Sequence, residues 1–377
     1  MSAENQDGSR GDHSTRLVRA PLNPEFDLFP DKDLVISHTV KTVNLAAVAA
    51  HIEIQDLTGG IPEAIDLPEE EKKRREKIID KSAFRGFMLA VGKTPYRDDY
   101  EAGEGENEAD PDKLGEAMPF PVGIHGSGLH IVSKVTDMVE NTRRATHNRP
   151  DAVSVVGATT HHGLMEIPMV GGTGKRVTYF RKLFAPEMFK DVLSLDKSTR
   201  ENIETIIKVG QARAENIHLV VMDRKCNDQI IQEAQDLGVV NIERIESGDL
   251  LWGLRAMMSD PENPIVMMGR GGAPEGAITM IAARALGATG QVRAIEDKAD
   301  VVMIDKTPIW TPEQFVPGAP DQSMVIFSAI TPNTHFGLDA VEPVGDRPNL
   351  YLVENVVIDS SGLHIIRKTP TEYPLAA

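Results

Sequence analysis

The sequence predicts an α/β protein, and three observations lead there. In its second half, short apolar runs of strand length alternate with helix-length stretches, the pattern of strands joined through helices into a layered sheet. At 377 residues the chain is long enough for two domains and a sizeable core. Its composition, 41% hydrophobic and 26% charged, is that of a soluble globular protein.

Taken in order, residues 1–35 are polar and contain proline, and they read as a loose tail without the apolar h-region of a signal peptide. Over 36–55, Val43, Ala46, Ala47, Ala50 and Ile54 recur at helical intervals and predict a helix. The segment 60–84, with EEEKKRREK at its centre, reads as an exposed charged helix or an insertion, and the acidic stretch 97–116 as a loop punctuated by Gly and Pro. GLHIVSKV (128–135) and DAVSVVGAT (151–159) predict strands. Beyond them, NIHLVVMD (216–223) is a strand, NDQIIQEAQDLG (227–238) a helix with a Gly stop, and NIERI (241–245) a strand. A helix starts in SGDLLWGLRAMM (247–258), and residues 263–286 read as strand, Gly-rich turn and helix. SMVIFSAIT (323–331) and LYLVENVVI (350–358) add strands. The expected division is a tail (1–35), an N-terminal α/β domain (36–214), a C-terminal α/β domain (215–345) and a final strand and tail (346–377).

Charge narrows the partners. Forty Lys and Arg against 57 Asp and Glu give a net charge of −17, which repels phosphodiester backbones, so no nucleic-acid partner is expected. The stretch VNLAAVAAHI (43–52) is far shorter than the ~20 residues that cross a bilayer, so no membrane is expected either. One cysteine, Cys226, excludes an internal disulfide framework and fits a reducing cytoplasm.

Several stretches invite a chemical reading. GGTGKR (171–176) resembles a phosphate loop but lacks the earlier glycine, and Arg176 stands where Ser or Thr would hold magnesium; it reads as a Gly-rich turn. His161 and His162 point to opposite faces if they lie on a strand, so they read as ordinary polar residues. Cys226 has no neighbouring His and reads as a small buried residue. In VTDMVENTRR (135–144), Asp137, Glu140 and Thr142 form either a polar turn or a metal loop with a hydroxyl beside it. AGEGENEAD (102–110) either keeps a loop solvated or suits a hard cation. In GRGGAPEGA (269–277), a strand runs into glycines that let backbone approach a ligand, followed by a helix start that suits an anion. Pro274 and Glu275 are also ordinary first-turn residues.

Taken in order, GEGE, the Asp-x-x-Glu-x-Thr loop and GGAPEG resemble the class II fructose-1,6-bisphosphatases, within the lithium-sensitive, metal-dependent sugar and inositol phosphatase superfamily. The resemblance runs from about residue 36 to 360 and is firmest over 216–286. It implies two layered α/β/α-type domains of the sugar phosphatase fold with the site between them, Mg2+ or Mn2+ as cofactor, a phosphorylated sugar as substrate, and a homo-oligomer. Glu104, Asp137, Glu140 and Glu275 match metal ligands. Thr142 matches the hydroxyl that orients the attacking water, and Glu106, the second acid of GEGE, is taken with it as catalytic. Tyr179, Lys182, Arg224, Lys225, Asp249, Gly271 and Gly272 match substrate-binding positions.

The departures from the family pattern matter as much. KTVNLAA (41–47) is matched to Asn-Thr-Ala-Asp-Gly-Ala-Ala, so Asn44 stands at the position of a catalytic Asp, and an amide accepts no proton as a base. Met138 and Asn141 replace a Pro and a Gly, and Asn tolerates the positive φ such a turn needs. RKCN (224–227) puts Cys226 at a phosphate-binding Arg, and Ser247 replaces the first Asp of Asp-Gly-Asp. The implied function is a phosphatase of a sugar phosphate or bisphosphate with altered specificity. Its rivals are a non-hydrolytic sugar-phosphate-binding or regulatory protein and an enzyme using the same cradle for another reaction.

Overall fold

The computed structural model describes residues 31–63, 67–103, 123–128, 130–161, 163–165, 167, 177–295 and 308–374. Among them are strands β1 (Arg97–Gly103), β2 (Gly123–His125), β3 (Ile131–Glu140), β4 (Val153–Thr159), β5 (Tyr179–Ala185), β6 (His218–Met222) and β7 (Asn241–Ile245). These are followed by β8 (Ile265–Gly272), β9 (Thr289–Ile295), β10 (Ser323–Ala329), β11 (Glu342–Val344), β12 (Arg347–Asp359) and β13 (Gly362–Glu372). The larger sheet has the order β11-β12-β10-β4-β3-β1-β2, with β13 also on β12; the smaller has the order β7-β6-β8-β5-β9.

Helices α1 (Lys32–Thr58) and α2 (Glu69–Met88) pack on one face of the larger sheet, where Val43, Ala47, Ile54, Ile79 and Phe87 meet Val132, Val156, Met324 and Ile326. Between the sheets lie the helices Asp249–Met257 and Ala273–Leu286. The far face of the smaller sheet is covered by the helices Thr199–Gly210 and Asp228–Asp236, through Ile203, Ile206, Ile230 and Ala234. Five layers result, helix and sheet in alternation.

The middle helix explains how two sheets share one core. Ala273–Leu286 is apolar almost all round, with ten buried residues, and a helix without a polar face belongs inside. Its neighbours are trimmed to fit. A Cβ on Gly157 of β4 would stand 2.8 Å from Ile281 Cδ1, closer than packed carbon atoms come.

The helices and strands expected over 36–55, 128–135, 151–159, 216–245, 247–258, 263–286, 323–331 and 350–358 are all present, with shifted ends. One expectation is corrected. The acidic loop expected at 97–116 begins as strand β1, parallel to β3. Its polar sequence hides it because Asp98 is held in the interior by Lys134, Nζ to Oδ1 2.7 Å, with both side chains buried. Burial alone pushes the Lys134 ammonium down, but Asp98 and Tyr96 more than offset this and raise it. An ion pair of good geometry offsets the desolvation that would otherwise keep such a segment outside.

The sheets also interleave along the chain. Tyr179–Ala185, ahead of residue 215, lies in the smaller sheet, whereas Ser323–Ala329 returns to the larger one beside β4.

Candidate metal and phosphate site

The site grows from an irregularity in β3. Asp137 pairs with Val155 and Glu140 with Val153, so three steps on β3 face two on β4. Such a bulge inserts one extra residue, here within Met138–Val139, both of which turn to the α1 side. On a regular strand, residues three apart face opposite sides. The bulge instead leaves Asp137 and Glu140 both on the face of Val153 and Val155, toward the middle helices.

There they meet Glu275, in the first turn of Ala273–Leu286. One carboxylate oxygen from each of Asp137, Glu140 and Glu275 lies within 4.8 Å of the others. Gly272 makes room for this arrangement, since a Cβ on it would overlap the Glu275 carboxylate. Asp137 also accepts the Val139 amide at 3.0 Å, which closes the bulge. Asn141 follows in the left-handed region at φ 67°, as its replacement of a glycine requires, and starts the single helical turn Thr142–Ala145.

The second wall is one edge of the smaller sheet. Strands β7, β6 and β8 run parallel, so the residues after their C-terminal ends share that edge. This edge of an open parallel sheet is where ligands collect. It carries Arg224 and Lys225 after β6, Ser247–Asp249 after β7, and Gly271–Glu275 at the end of β8. Lys182 Nζ donates to Asp249 Oδ2 at 2.5 Å, both side chains being buried, and a Cβ on Gly271 would overlap Asp249 and stand 3.0 Å from Lys182 Nζ. The two walls touch where Gly248, at φ 89°, packs its Cα against the Asn141 side chain; a Cβ there would sit 2.7 Å from Nδ2.

Two asparagine side chains brace the two walls. Asn227 donates to Met222 O at 3.0 Å and accepts the Arg270 amide at 3.1 Å, clamping the end of β6 to β8. The Asn141 side chain donates to Asp151 O at 2.8 Å. The Asn227–Arg270 contact has no spacing signature, because it joins segments distant in sequence.

Other expected residues are placed as follows. Thr142 Oγ1 donates to Val139 O at 2.6 Å, just past the bulged strand end that carries the carboxylates. Arg224 and Lys225 are exposed, and Cys226 is half-buried with a free thiol. Tyr179 is half-buried, opposite Gly272 in the ladder and under the Arg270 guanidinium at 4.2 Å from the ring centroid. Glu104 and Glu106, GGTGKR and His162 lie outside the described residues.

Asn44 is not brought to the carboxylates. Its amide is buried on the α1 face of the larger sheet, where Oδ1 accepts from Ser328 Oγ at 2.7 Å and from Asn355, and Nδ2 donates to Thr371 at 3.1 Å. Ser328 pairs with Ser154, whose neighbours Val153 and Val155 mark the other face. The sheet therefore separates Asn44 from Asp137 and Glu140.

The residues present fit a hard divalent cation. Mg2+ and Mn2+ favour carboxylate oxygens, and three convergent carboxylates repel one another unless positive charge is shared among them.

A model of the family described as bacterial fructose-1,6-bisphosphatase, glpX-encoded, matches residues 71–329, which include Asp137, Glu140, Thr142 and Glu275 but begin after Asn44. The chain is similar to the D-fructose 1,6-bisphosphatase class 2/sedoheptulose 1,7-bisphosphatase of Trichodesmium erythraeum, 27% identical over 236 residues, 61% of this chain and 66% of the relative. The protein of the same name from Synechocystis is 30% identical over 235 residues, 60% of this chain and 64% of the relative. The match thus spans just under two thirds of these relatives' own length. With the family model covering more than half of its 377 residues, the chain belongs to the glpX-encoded bacterial fructose-1,6-bisphosphatase family.

Proposed function

We propose that this chain is a metal-dependent phosphatase that hydrolyses a phosphomonoester of a sugar phosphate or bisphosphate, with a specificity altered from fructose 1,6-bisphosphate. The observation that carries the proposal is the convergence of Asp137, Glu140 and Glu275 within the family-matched segment. The relatives' names, bisphosphatases of fructose and sedoheptulose, support a phosphorylated sugar as substrate.

Mg2+ or Mn2+, when bound, supplies charge neutralisation at the phosphate and a water of lowered pKa. Asp137, Glu140 and Glu275 would hold the ions, and the resemblance adds Glu104 as a ligand and Glu106 as a catalytic acid. Thr142 spends its proton on Val139 O, so its oxygen lone pairs remain to accept and orient the O–H of an attacking water. Arg224, Lys225, Lys182 and Asp249 line the phosphate and sugar side, and Gly271 and Gly272 let backbone come close. Cys226 and Ser247 support an altered specificity, because a thiol and a hydroxyl stand where a bidentate cation and a carboxylate are expected. A homo-oligomer and a cytoplasmic setting belong to the same proposal. No described helix is long and apolar enough to cross a membrane.

One observation favours the second reading, a sugar-phosphate-binding protein without turnover: Asn44 lies across the sheet and supplies no partner to Thr142. Phosphate release from C5–C8 sugar phosphates with Mg2+ or Mn2+ tests the hydrolytic reading, and ligand binding without release in the wild type supports the second.

A further inference from the structure

Glu275 and the pair Asp137 and Glu140 belong to different walls, so the carboxylate cluster exists only while the walls keep their spacing. The oxygen ligands of a cation must fall within ~0.2 Å of their proper distances. A spacing error that the hydrophobic core tolerates is therefore enough to weaken a metal site.

A line of close contacts runs from one set of carboxylates to the other, and Asn141 begins it. This residue follows Glu140, and its side chain is buried. Its Nδ2, Oδ1 and Cγ atoms lie 2.7, 2.8 and 3.1 Å from the point that a Cβ on Gly248 would occupy, so the end of the amide abuts that glycine. Gly248 caps the helix that starts at Asp249, Asp249 fills the space over Gly271, and Gly272 makes room for Glu275.

Behind Asn141 stands a mount. Nδ2 donates to Asp151 O at 2.8 Å. Asp151 is itself in the left-handed region at φ 79°, and its Oδ1 accepts the Thr334 amide at 2.6 Å and the Thr334 hydroxyl at 2.9 Å. The next residue, His335, meets Trp252 of the helix capped by Gly248 edge-on, with ring centroids 4.8 Å apart. One turn thus braces both partners of the Asn141–Gly248 contact. The arrangement leaves Asn141 Oδ1 buried with no hydrogen-bond partner among the described residues, which lowers stability. The amide cannot turn over to cure this, because the Asp151 carbonyl only accepts. Stability alone does not account for an amide so placed; its position between the walls does.

We propose that Asn141 is a positioning residue for the metal centre: wedged between Asp151 and Gly248, its amide sets the spacing of Asp137 and Glu140 from Glu275. The proposal rests on the reading of these three carboxylates as metal ligands.

Calorimetric titration of the full chain with Mn2+, with thermal melts alongside, tests it in wild type, E275Q, N141G, G248A and the double variant N141G/G248A. Glycine takes φ 67° without strain, so N141G removes the wedge alone. It should weaken Mn2+ binding about fivefold or more, while Tm falls by no more than about 3 °C. A merely structural residue would move the two together. G248A drives a methyl group into the amide and should weaken Mn2+ about tenfold or more. In the N141G background the same step should weaken it less than about threefold, because the atoms it strikes are gone. Should G248A not fold, N141G, which adds no atoms, still decides. Wild-type Mn2+ affinity in N141G, or an equal loss from G248A in both backgrounds, overturns the proposal. If E275Q has then lost Mn2+, the metal reading stands and only the wedge falls; if E275Q binds Mn2+ like wild type, both fall.

Discussion

Asp137 and Glu140 face the same side of β3 although they stand three positions apart, because a bulge at Met138–Val139 absorbs one residue of the ladder. The consequence is a pair of carboxylates aimed at Glu275 from a strand rather than from a loop. Either D137N or E140Q should weaken Mn2+ binding by tenfold or more, read by calorimetry. In the absence of metal the same variants should melt no lower than wild type, since each relieves repulsion between close carboxylates. Unchanged Mn2+ affinity in both would remove this bulge from the metal site.

Gly271 stands where any side chain collides with the Lys182–Asp249 pair. G271A should displace two buried charges and cost about 2–4 kcal/mol in denaturant unfolding. A melt within error of wild type would mean that the pair yields without cost.

Asn44 is an interior hydrogen-bonding residue. N44D places a carboxylate among Ser328, Asn355 and Thr371, with no cation among these described partners. It should destabilise the fold by about 3–5 kcal/mol at pH 7 and less at acid pH, and should leave phosphate release no higher than wild type. A stable N44D with strongly increased release would restore this residue to the catalytic centre.

The start of α1 is tied to the β12–β13 hairpin by Lys32 and Asp359, 2.9 Å apart. Burial pushes the Asp359 carboxyl up, but hydrogen bonds from Lys32 and Ser361 outweigh it and bring it to about 2. A carboxyl depressed in the folded state contributes fully above its unfolded pKa of ~3.9, and the contribution fades as pH falls toward about 2. D359N should cost about 1–2 kcal/mol at pH 7. Its deficit relative to wild type should shrink between pH 4 and 2, which thermal melts across that range measure.

Much of this was legible in the sequence. The parallel strands β6 and β8 are short apolar runs, and the segments after β6, β7 and β8 carry Arg224, Lys225, Asp249 and Glu275. The place of Glu275 at a helix start was legible from the strand, the glycines and Pro274 before it, whereas its match to a metal ligand came from the family resemblance. Strand β1 was not, since Asp98 and Asp99 disguise it and Lys134, which holds Asp98, is distant in sequence. Nor was the placement of Asn44: helical spacing puts it on a buried face without saying which side of the sheet that face meets. The row of Arg270, Arg181 and Arg293 across the smaller sheet is equally invisible, because register between β8, β5 and β9 decides it.

The most direct test of the central claim is phosphate release from a panel of C5–C8 sugar phosphates and bisphosphates, with Mn2+ or Mg2+, by wild type and E275Q. The account expects metal-dependent release by wild type from at least one of them, reduced about 10²-fold or more in a folded E275Q. No release from any of them with either metal, or equal release by E275Q, would contradict it.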